Sequence, residues 1–271
     1  MLAAERKQAI KQIVLEKKSA SVSALSKRFS VTDETIRRDL KALEKEGVLI
    51  RTYGGAFVQT GVENLVEVQL RKTIYVEEKA LIAQRCRTLV DNGDTIFLDN
   101  STTCYYIAKA IQDMRVTVAT NNLMVINLFS TNDNIRLVSI GGEFSVAEQA
   151  FYGNTAAKVL DTYYFDKTFV SCRTLSLEHG VSDSTDQWAF VRRQAITRSN
   201  ECYLVADKSK FGRTSFIRIG DFKDFSAIIT SHPLSSEWHQ TIEELGCRII
   251  DGSDPGHEVL SPDDSNYLAQ A

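Results

Sequence analysis

Two periodicities divide the chain. In the first ~58 residues, apolar positions recur at helical spacing in three short runs. Ile10, Ile13 and Val14 lie within 6–17, Val22, Leu25 and Phe29 follow Ser21, and Ile36, Leu40 and Leu43 follow Thr32. Apolar residues three and four apart line one helix face, so three helices are predicted. Ser21 and Thr32 stand where a hydroxyl can accept an orphaned first-turn N–H. Asp33 and Glu34 sit where the helix dipole favours negative charge. Ser30-Val31-Thr32 is then a three-residue turn between the second and third helices, the proportions of a helix-turn-helix. Beyond Glu46-Gly47, residues 48–56 read as a short β-wing that turns at Gly54-Gly55.

From residue 79 the pattern changes. Strand-like apolar runs at 95–98, 116–119, 136–140, 167–171, 202–206, 227–230 and 248–250 alternate with helical stretches. The helical stretches fall at about 79–90, 104–112, 122–130, 153–161, 186–199 and 236–245. Such alternation predicts an α/β domain with a largely parallel sheet and helices on its faces. Between the two patterns, residues 59–78 mix charge with Leu65, Val66, Val68, Leu70 and Ile74 and read as an ordered connector. From Asp251 the chain is polar and carries Pro255 and Pro262, the composition of a loose tail. The expected organisation is 1–58, 59–78, 79–250 and 251–271.

Charge sharpens this division. Residues 1–60 hold 12 Lys+Arg against 7 Asp+Glu, and the remainder 20 against 28, so a +5 head joins a −8 body. A basic head on an acidic body suits a protein that needs phosphate attraction on one face only. The basic residues concentrate on the third helix, where Arg38, Lys41 and Lys45 oppose the apolar face and Arg37 flanks them. Such a helix fits the major groove, where arginine grips guanine or phosphate with two bonds. Taken alone, it reads more readily as an ordinary solvated helix; its helix-turn-helix setting favours DNA. Arg51, Tyr53, Gly54 and Gly55 of the wing are placed to approach a phosphate backbone, and Ser21, Thr32, Glu34 and Thr35 complete the expected DNA face.

The 271 residues and 43 % hydrophobic content suffice for about two domains. No run approaches the ~18 apolar residues of a membrane span, and the charged N-terminus lacks a signal-peptide core; a cytoplasmic protein is expected. Cys86, Cys104, Cys172, Cys202 and Cys247 are odd in number and far apart, with no CxxC pair. Buried free thiols are expected, with no metal and no cofactor.

Ligands in a parallel α/β sheet bind beyond the carboxyl ends of its strands. Three such ends share a chemistry. Asp99-Asn100-Ser101-Thr102-Thr103 follows the first strand and offers hydroxyls beside free helix N–H groups, which suit a phosphate. Thr120-Asn121-Asn122 follows the second. Gly141-Gly142 follows the third and lets backbone approach a ligand. Singly, each is more often a helix cap or a turn; their recurrence at successive strand ends favours a ligand site.

The N-terminal segment resembles the DeoR family of bacterial transcription regulators in Thr35-Ile36-Arg37-Arg38-Asp39-Leu40, Leu43, Gly47 and Arg51-x-x-Gly54-Gly55-Ala56. The second domain resembles the family's sensor domain in Glu78-Lys79, Ile82-Ala83, the Asp99-x-Ser-Thr-Thr loop, Thr120-Asn121, Gly141-Gly142, Gly153 and Asp207-x-Ser209-Lys210-Phe211-Gly212. The resemblance implies a winged helix-turn-helix followed by a ribose-5-phosphate-isomerase-like domain that binds a phosphorylated sugar. It implies effector contacts from Asp99, Ser101, Thr102, Thr103, Thr120, Asn121, Asn122, Gly141, Gly142, Arg173, Arg192, Lys208 and Lys210, with Asp99 accepting bonds from the sugar. Without the family match, Asp207-Lys208-Ser209-Lys210 reads as a solvated surface loop.

Three departures stand out. Tyr53 replaces the family's usual His. Ser171-Cys172-Arg173-Thr174-Leu175 replaces a Ser/Ala-Gly-Ile/Val pattern. Gln187 or Trp188, then Arg192, stand where a Glu and a Lys are usual. Gln and Trp cannot act as a general base, so catalysis is not expected. Arg173 is placed either to contact a phosphate or acid, or to form an outward salt bridge. The sequence thus predicts a sugar-phosphate-responsive regulator of a sugar-utilisation operon, most often a repressor in this family. It would bind operator DNA as a homodimer or homotetramer. The alternative is a sugar-phosphate isomerase with a DNA-binding head.

Overall fold

The computed structural model describes residues 2–17, 19–46, 48–52, 54–57 and 68–253. It forms two compact units, one from Met1–Val76 with Val146–Glu148, the other from the rest. In the first unit α1 (Ala3–Lys17) leads into β1 (Ser19–Ser21), α2 (Val22–Phe29), α3 (Asp33–Lys45), β2 (Ile50–Thr52) and β3 (Gly55–Phe57). The three strands pair antiparallel in the order β1-β3-β2. Ile10, Val14, Val22, Leu25, Ile36, Leu40, Leu43, Leu49 and Ala56 form one core. This is a winged helix-turn-helix, with β1 as a strand that the sequence pattern does not reveal. Tyr53 and Gly47 lie outside the described residues, as do residues 59–67 of the expected connector and the tail from residue 254. The described part of the connector holds α4 (Val68–Lys72) and the start of α5 (Val76–Arg87).

In the second unit, β4 (Thr95–Leu98), α6 (Thr102–Ala110), β5 (Val116–Thr120), α7 (Leu123–Phe129) and β6 (Ile135–Ser139) are followed by a hairpin, β7 (Glu143–Ser145) and β8 (Ala150–Tyr152). Then come α8 (Gly153–Leu160), β9 (Phe165–Val170), β10 (Thr174–Ser176), β11 (Gly180–Asp183), α9 (Asp186–Thr197), β12 (Ser199–Val205), β13 (Ile217–Gly220), β14 (Ala227–Ile229), α10 (Ser236–Glu244) and β15 (Arg248–Ile250). Seven strands make one parallel sheet in the order β15-β14-β12-β9-β4-β5-β6. All seven runs anticipated from sequence lie in it. The antiparallel set β10-β11-β13 and the β7-β8 hairpin were not anticipated. Alternating side chains feed two cores: Ile96 and Leu98 join α5, α6 and α7, whereas Phe97 joins α8, α9 and α10 on the other face. The chain enters the sheet at β4, runs to the β6 edge, then returns to β9 on the other side of β4. That reversal puts the switch point, where α/β sheets bind ligands, between β4 and β9.

Candidate DNA-binding face and effector site

In the first unit, the local caps form as the sequence predicts. Ser21 Oγ accepts from Ala24 N–H at 3.1 Å, and Thr32 Oγ1 accepts from Thr35 N–H at 3.3 Å. The Thr32 and Thr35 hydroxyls also bond each other at 2.9 Å. Ile36, Leu40 and Leu43 are buried, whereas Glu34, Arg38, Lys41 and Lys45 are exposed and Arg37 is half-buried. Two ion pairs within the unit, neither visible as a motif, hold α3. Arg6 Nε on α1 bonds Asp39 Oδ2 at 2.6 Å, both side chains being buried. Arg51 donates to Glu44 through both its Nε, at 2.7 Å, and its backbone N–H, at 2.9 Å. The Arg51 bonds hold the Glu44 carboxyl below its usual range against a smaller opposing effect of burial.

One wing expectation is corrected, at Gly55. Arg51 docks the wing on α3 through Nε and its backbone N–H, and its side chain stays about one-third exposed. Gly55 is buried, and a Cβ there would lie 2.3 Å from the Ala20 carbonyl oxygen. It is glycine because β1 passes close by, not because DNA does. Gly54 shares in that packing, its carbonyl accepting from Val22 N–H at 2.8 Å.

In the second unit, the switch point holds a buried charge cluster. Asp99, fully buried at the end of β4, accepts from Ser101 N–H at 2.8 Å, Ser171 N–H at 2.9 Å and Arg192 Nε at 2.7 Å. Arg192 reaches in from α9, also pairs with Asp183, and donates from Nη2 to Asn100 Oδ1 at 3.1 Å. Burial alone would raise the Asp99 carboxyl, but Arg192 and the Ser101 and Ser171 donors hold it below its usual range. Burial likewise opposes the charge on Arg192, and Asp183 and Asp99 outweigh it. The expectation that Asp99 accepts bonds from a sugar is therefore corrected. Its oxygens serve Arg192 and two backbone N–H groups, and none of its surface is exposed. Arg192 is equally engaged with protein partners.

The bland reading also holds for other strand-end residues. Ser101 caps α6, accepting from Cys104 N–H at 3.0 Å. Asn122 caps α7, accepting from Met124 N–H at 3.0 Å, and donates to the Ser101 carbonyl at 3.2 Å. Thr120 Oγ1 donates to the Leu98 carbonyl at 2.7 Å and accepts from Asn122 N–H at 3.1 Å. Gly142 has φ 143°, and a Cβ there would lie 2.4 Å from the Tyr152 carbonyl oxygen, so it serves the fold. A Cβ at Gly141 would meet open space.

What remains is a smaller set. Thr102 and Thr103 occupy the first turn of α6 and are 5 % and 2 % exposed. Asn121 is fully buried, and its Nδ2 donates to the Phe151 carbonyl at 2.8 Å. Its Oδ1 has no partner among the described residues. Lys210 is half-buried at the end of a 3-10 turn that starts from Asp207 after β12. Asp207 is buried and its carboxyl is held down, against burial, by Lys210, Lys79 and the Ser209 donors. Arg173 is 9 % exposed, so its outward-facing alternative does not hold. Lys208 is exposed and pairs with Glu78 at 3.1 Å.

Sequence reasoning missed Asp183, which completes the cluster, and assigned no site role to Asn100 or to Lys79, although both fall in quoted motifs; Lys79 acts on Asp207. Gln187 is exposed, and Trp188 is buried edge-on against Tyr152 with ring centroids 5.1 Å apart. All five cysteines are buried and unbridged. A shallow groove of about 380 Å³ along β11 and β13, bordered by Glu178, Phe216, Arg218 and Asp221, contains none of the anticipated residues. No helix among the described residues is long and apolar enough to cross a membrane.

Comparison with known proteins accords with both units. Residues 6–61 match the DeoR-like helix-turn-helix domain, and residues 74–232 match the DeoR C terminal sensor domain. The chain is 40 % identical to the uncharacterized HTH-type transcriptional regulator YulB of Bacillus subtilis, over 92 % of this chain and 96 % of that protein. It is 30 % identical to a putative aga operon transcriptional repressor of Escherichia coli O157:H7, over 91 % and 93 % of the two chains. It is 31 % identical to the L-fucose operon activator of Haemophilus influenzae, over 88 % and 96 %. With matches to both domains and relatives that run nearly its full length, the chain belongs to the DeoR family of transcriptional regulators.

Proposed function

We propose that the chain represses a sugar-utilisation operon and leaves its operator when a phosphorylated sugar fills the strand ends of the sensor domain. The observation that carries this reading is Asn121. A fully buried carbonyl oxygen with no donor among the described residues costs about 1–3 kcal/mol unless something satisfies it. A sugar hydroxyl is such a donor. The first turn of α6 with Thr102 and Thr103, the open approach over Gly141, and the cations Lys210 and Arg173 supply complementary groups for a phosphate. The relatives named for aga, lactose and fucose operons make sugar control the economical reading.

The chain acts as a regulator rather than an isomerase on this reading, because an exposed Gln187 and a buried Trp188 leave no general base at the positions in question. It works in the cytoplasm as a homodimer or homotetramer, since one short recognition helix reads few base pairs and symmetry doubles the site. An effector that prefers the DNA-free form 100-fold supplies about 2.7 kcal/mol against DNA binding.

Fluorescence anisotropy on DNA from upstream of its own gene, against scrambled DNA at fixed salt, tests this with a panel of pentose and hexose phosphates. Specific binding released by one compound is expected. Turnover of any of those compounds would favour the isomerase instead.

A further inference from the structure

The recognition helix carries acidic residues along its length, and they divide by use. Asp39 is buried against Arg6, and Glu44 is paired with Arg51. Glu34 is different. It is exposed and takes no hydrogen bond or ion pair among the described residues. It also stands on the solvent side of α3, opposite Leu43 and Ile36, on the same face as Arg38, Lys41 and Lys45. Arg38 lies one turn further on, the spacing that favours a Glu–Arg pair, yet the two do not pair in the structure.

A carboxylate at the leading end of a basic face is electrostatically costly if that face meets phosphates. The helix dipole accounts for an acid in the first turn, but Asp33 already occupies that turn, on the flank. The cost is avoided when the carboxylate lies deep in the groove against a base donor. The N-terminal residues of a recognition helix are the ones that reach base edges. At about 1.5 Å per residue, Lys41 and Lys45 lie roughly 10 and 16 Å further along the axis, toward the flanking backbone. Guanine presents only acceptors in the major groove, thymine an acceptor and a methyl, and adenine a donor beside an acceptor. Cytosine alone presents the N4 amine without a neighbouring acceptor of its own.

We infer that Glu34 determines operator specificity by accepting a hydrogen bond from a cytosine N4 amine, with Arg38 on a neighbouring guanine. This rests on the reading of the head as an operator-binding domain, and deepens it by naming the base.

The test is selection from a randomised duplex library with the full-length protein, E34Q and E34A, followed by competition binding on single-base variants of the selected site. The wild type is expected to enrich a site with one invariant C·G pair per half-site, preferred roughly ten- to hundred-fold over the other pairs. E34Q is expected to move that position alone toward adenine, which glutamine bonds through N6 and N7. E34A is expected to lose preference there and keep it elsewhere. Enrichment of an unchanged motif by both variants overturns the inference and leaves operator binding standing. So does a uniform gain in affinity for all DNA, which would make Glu34 a simple repulsive charge. Failure of the wild type to enrich any motif removes the operator reading itself.

Discussion

Arg192 on α9 and Asp99 at the end of β4, 93 residues apart, meet through a 2.7 Å Nε–Oδ2 bond in a fully buried site. The same guanidinium pairs with Asp183 and Asn100. One side chain thereby ties β4, β11 and α9 together at the switch point of the sheet. The strand-end loops that border the candidate effector site are shaped by this link. Asp99 and Arg192 are engaged with each other and with protein partners, so the link organises the site.

Removing one member should therefore cost more than removing the contact itself. Arg192→Met leaves two buried carboxylates unpaired and is expected to destabilise the sensor domain by about 3–5 kcal/mol. Urea unfolding followed by tryptophan fluorescence would measure it. A loss below about 1 kcal/mol would mean that water enters the cluster and solvates it.

The head depends on a similar link. Asp39→Ala strands buried Arg6 and is expected to lower the stability of the winged helix by about 1–3 kcal/mol. Specific DNA affinity should fall with it, while effector binding by the sensor domain is untouched. Thermal unfolding and anisotropy on the same sample would separate the two effects.

Gly55→Ala is expected to destabilise the wing by about 1–3 kcal/mol, because its Cβ would sit 2.3 Å from the Ala20 carbonyl oxygen and β1 must shift. A melting temperature unchanged from wild type would show that β1 yields freely.

Stability should fall in acid through Asp251. Burial opposes its charge, but the Leu234 and Ser253 donors and His239 hold its carboxyl at about 2, below its ordinary 3.8. A carboxyl depressed in the folded state contributes stability in full above its unfolded value and loses it as pH falls through the folded value. Loss is thus expected from pH about 5 down to about 2. Asp251→Asn should flatten that slope in urea titrations run at successive pH values.

In the proposed effector site, Thr102→Ala together with Lys210→Ala is expected to abolish release from DNA by the active sugar phosphate and to leave operator affinity within about two-fold. Anisotropy with and without the compound reads both. A retained response would move the ligand elsewhere.

Much of this protein is legible from local pattern. The three helices of the head and the seven strands of the parallel sheet follow from apolar spacing, because burial of one helix face or of both sheet faces leaves its mark every few residues. The caps at Ser21, Thr32, Ser101 and Asn122 are legible for the same reason, since each hydroxyl or amide meets an N–H two or three residues away. The family motifs likewise point to the strand ends as the proposed effector site. Its assignment to individual side chains was less secure: Asp99 and Thr120 read as ligand groups and serve the fold instead.

Tertiary structure decided the rest. Arg6 and Asp39 are 33 residues apart, and Arg192 and Asp99 are 93. An isolated arginine or aspartate carries no periodicity that names its partner. β1, β10, β11 and β13 are three or four residues long, too short for an alternating pattern to stand out, and exist because a neighbouring strand pairs with them. Which polar groups stay available to a ligand depends on which are already bonded within the protein. That count closes only when distant segments meet, as when the Phe151 carbonyl takes Asn121 Nδ2 and Oδ1 is left without a donor among the described residues.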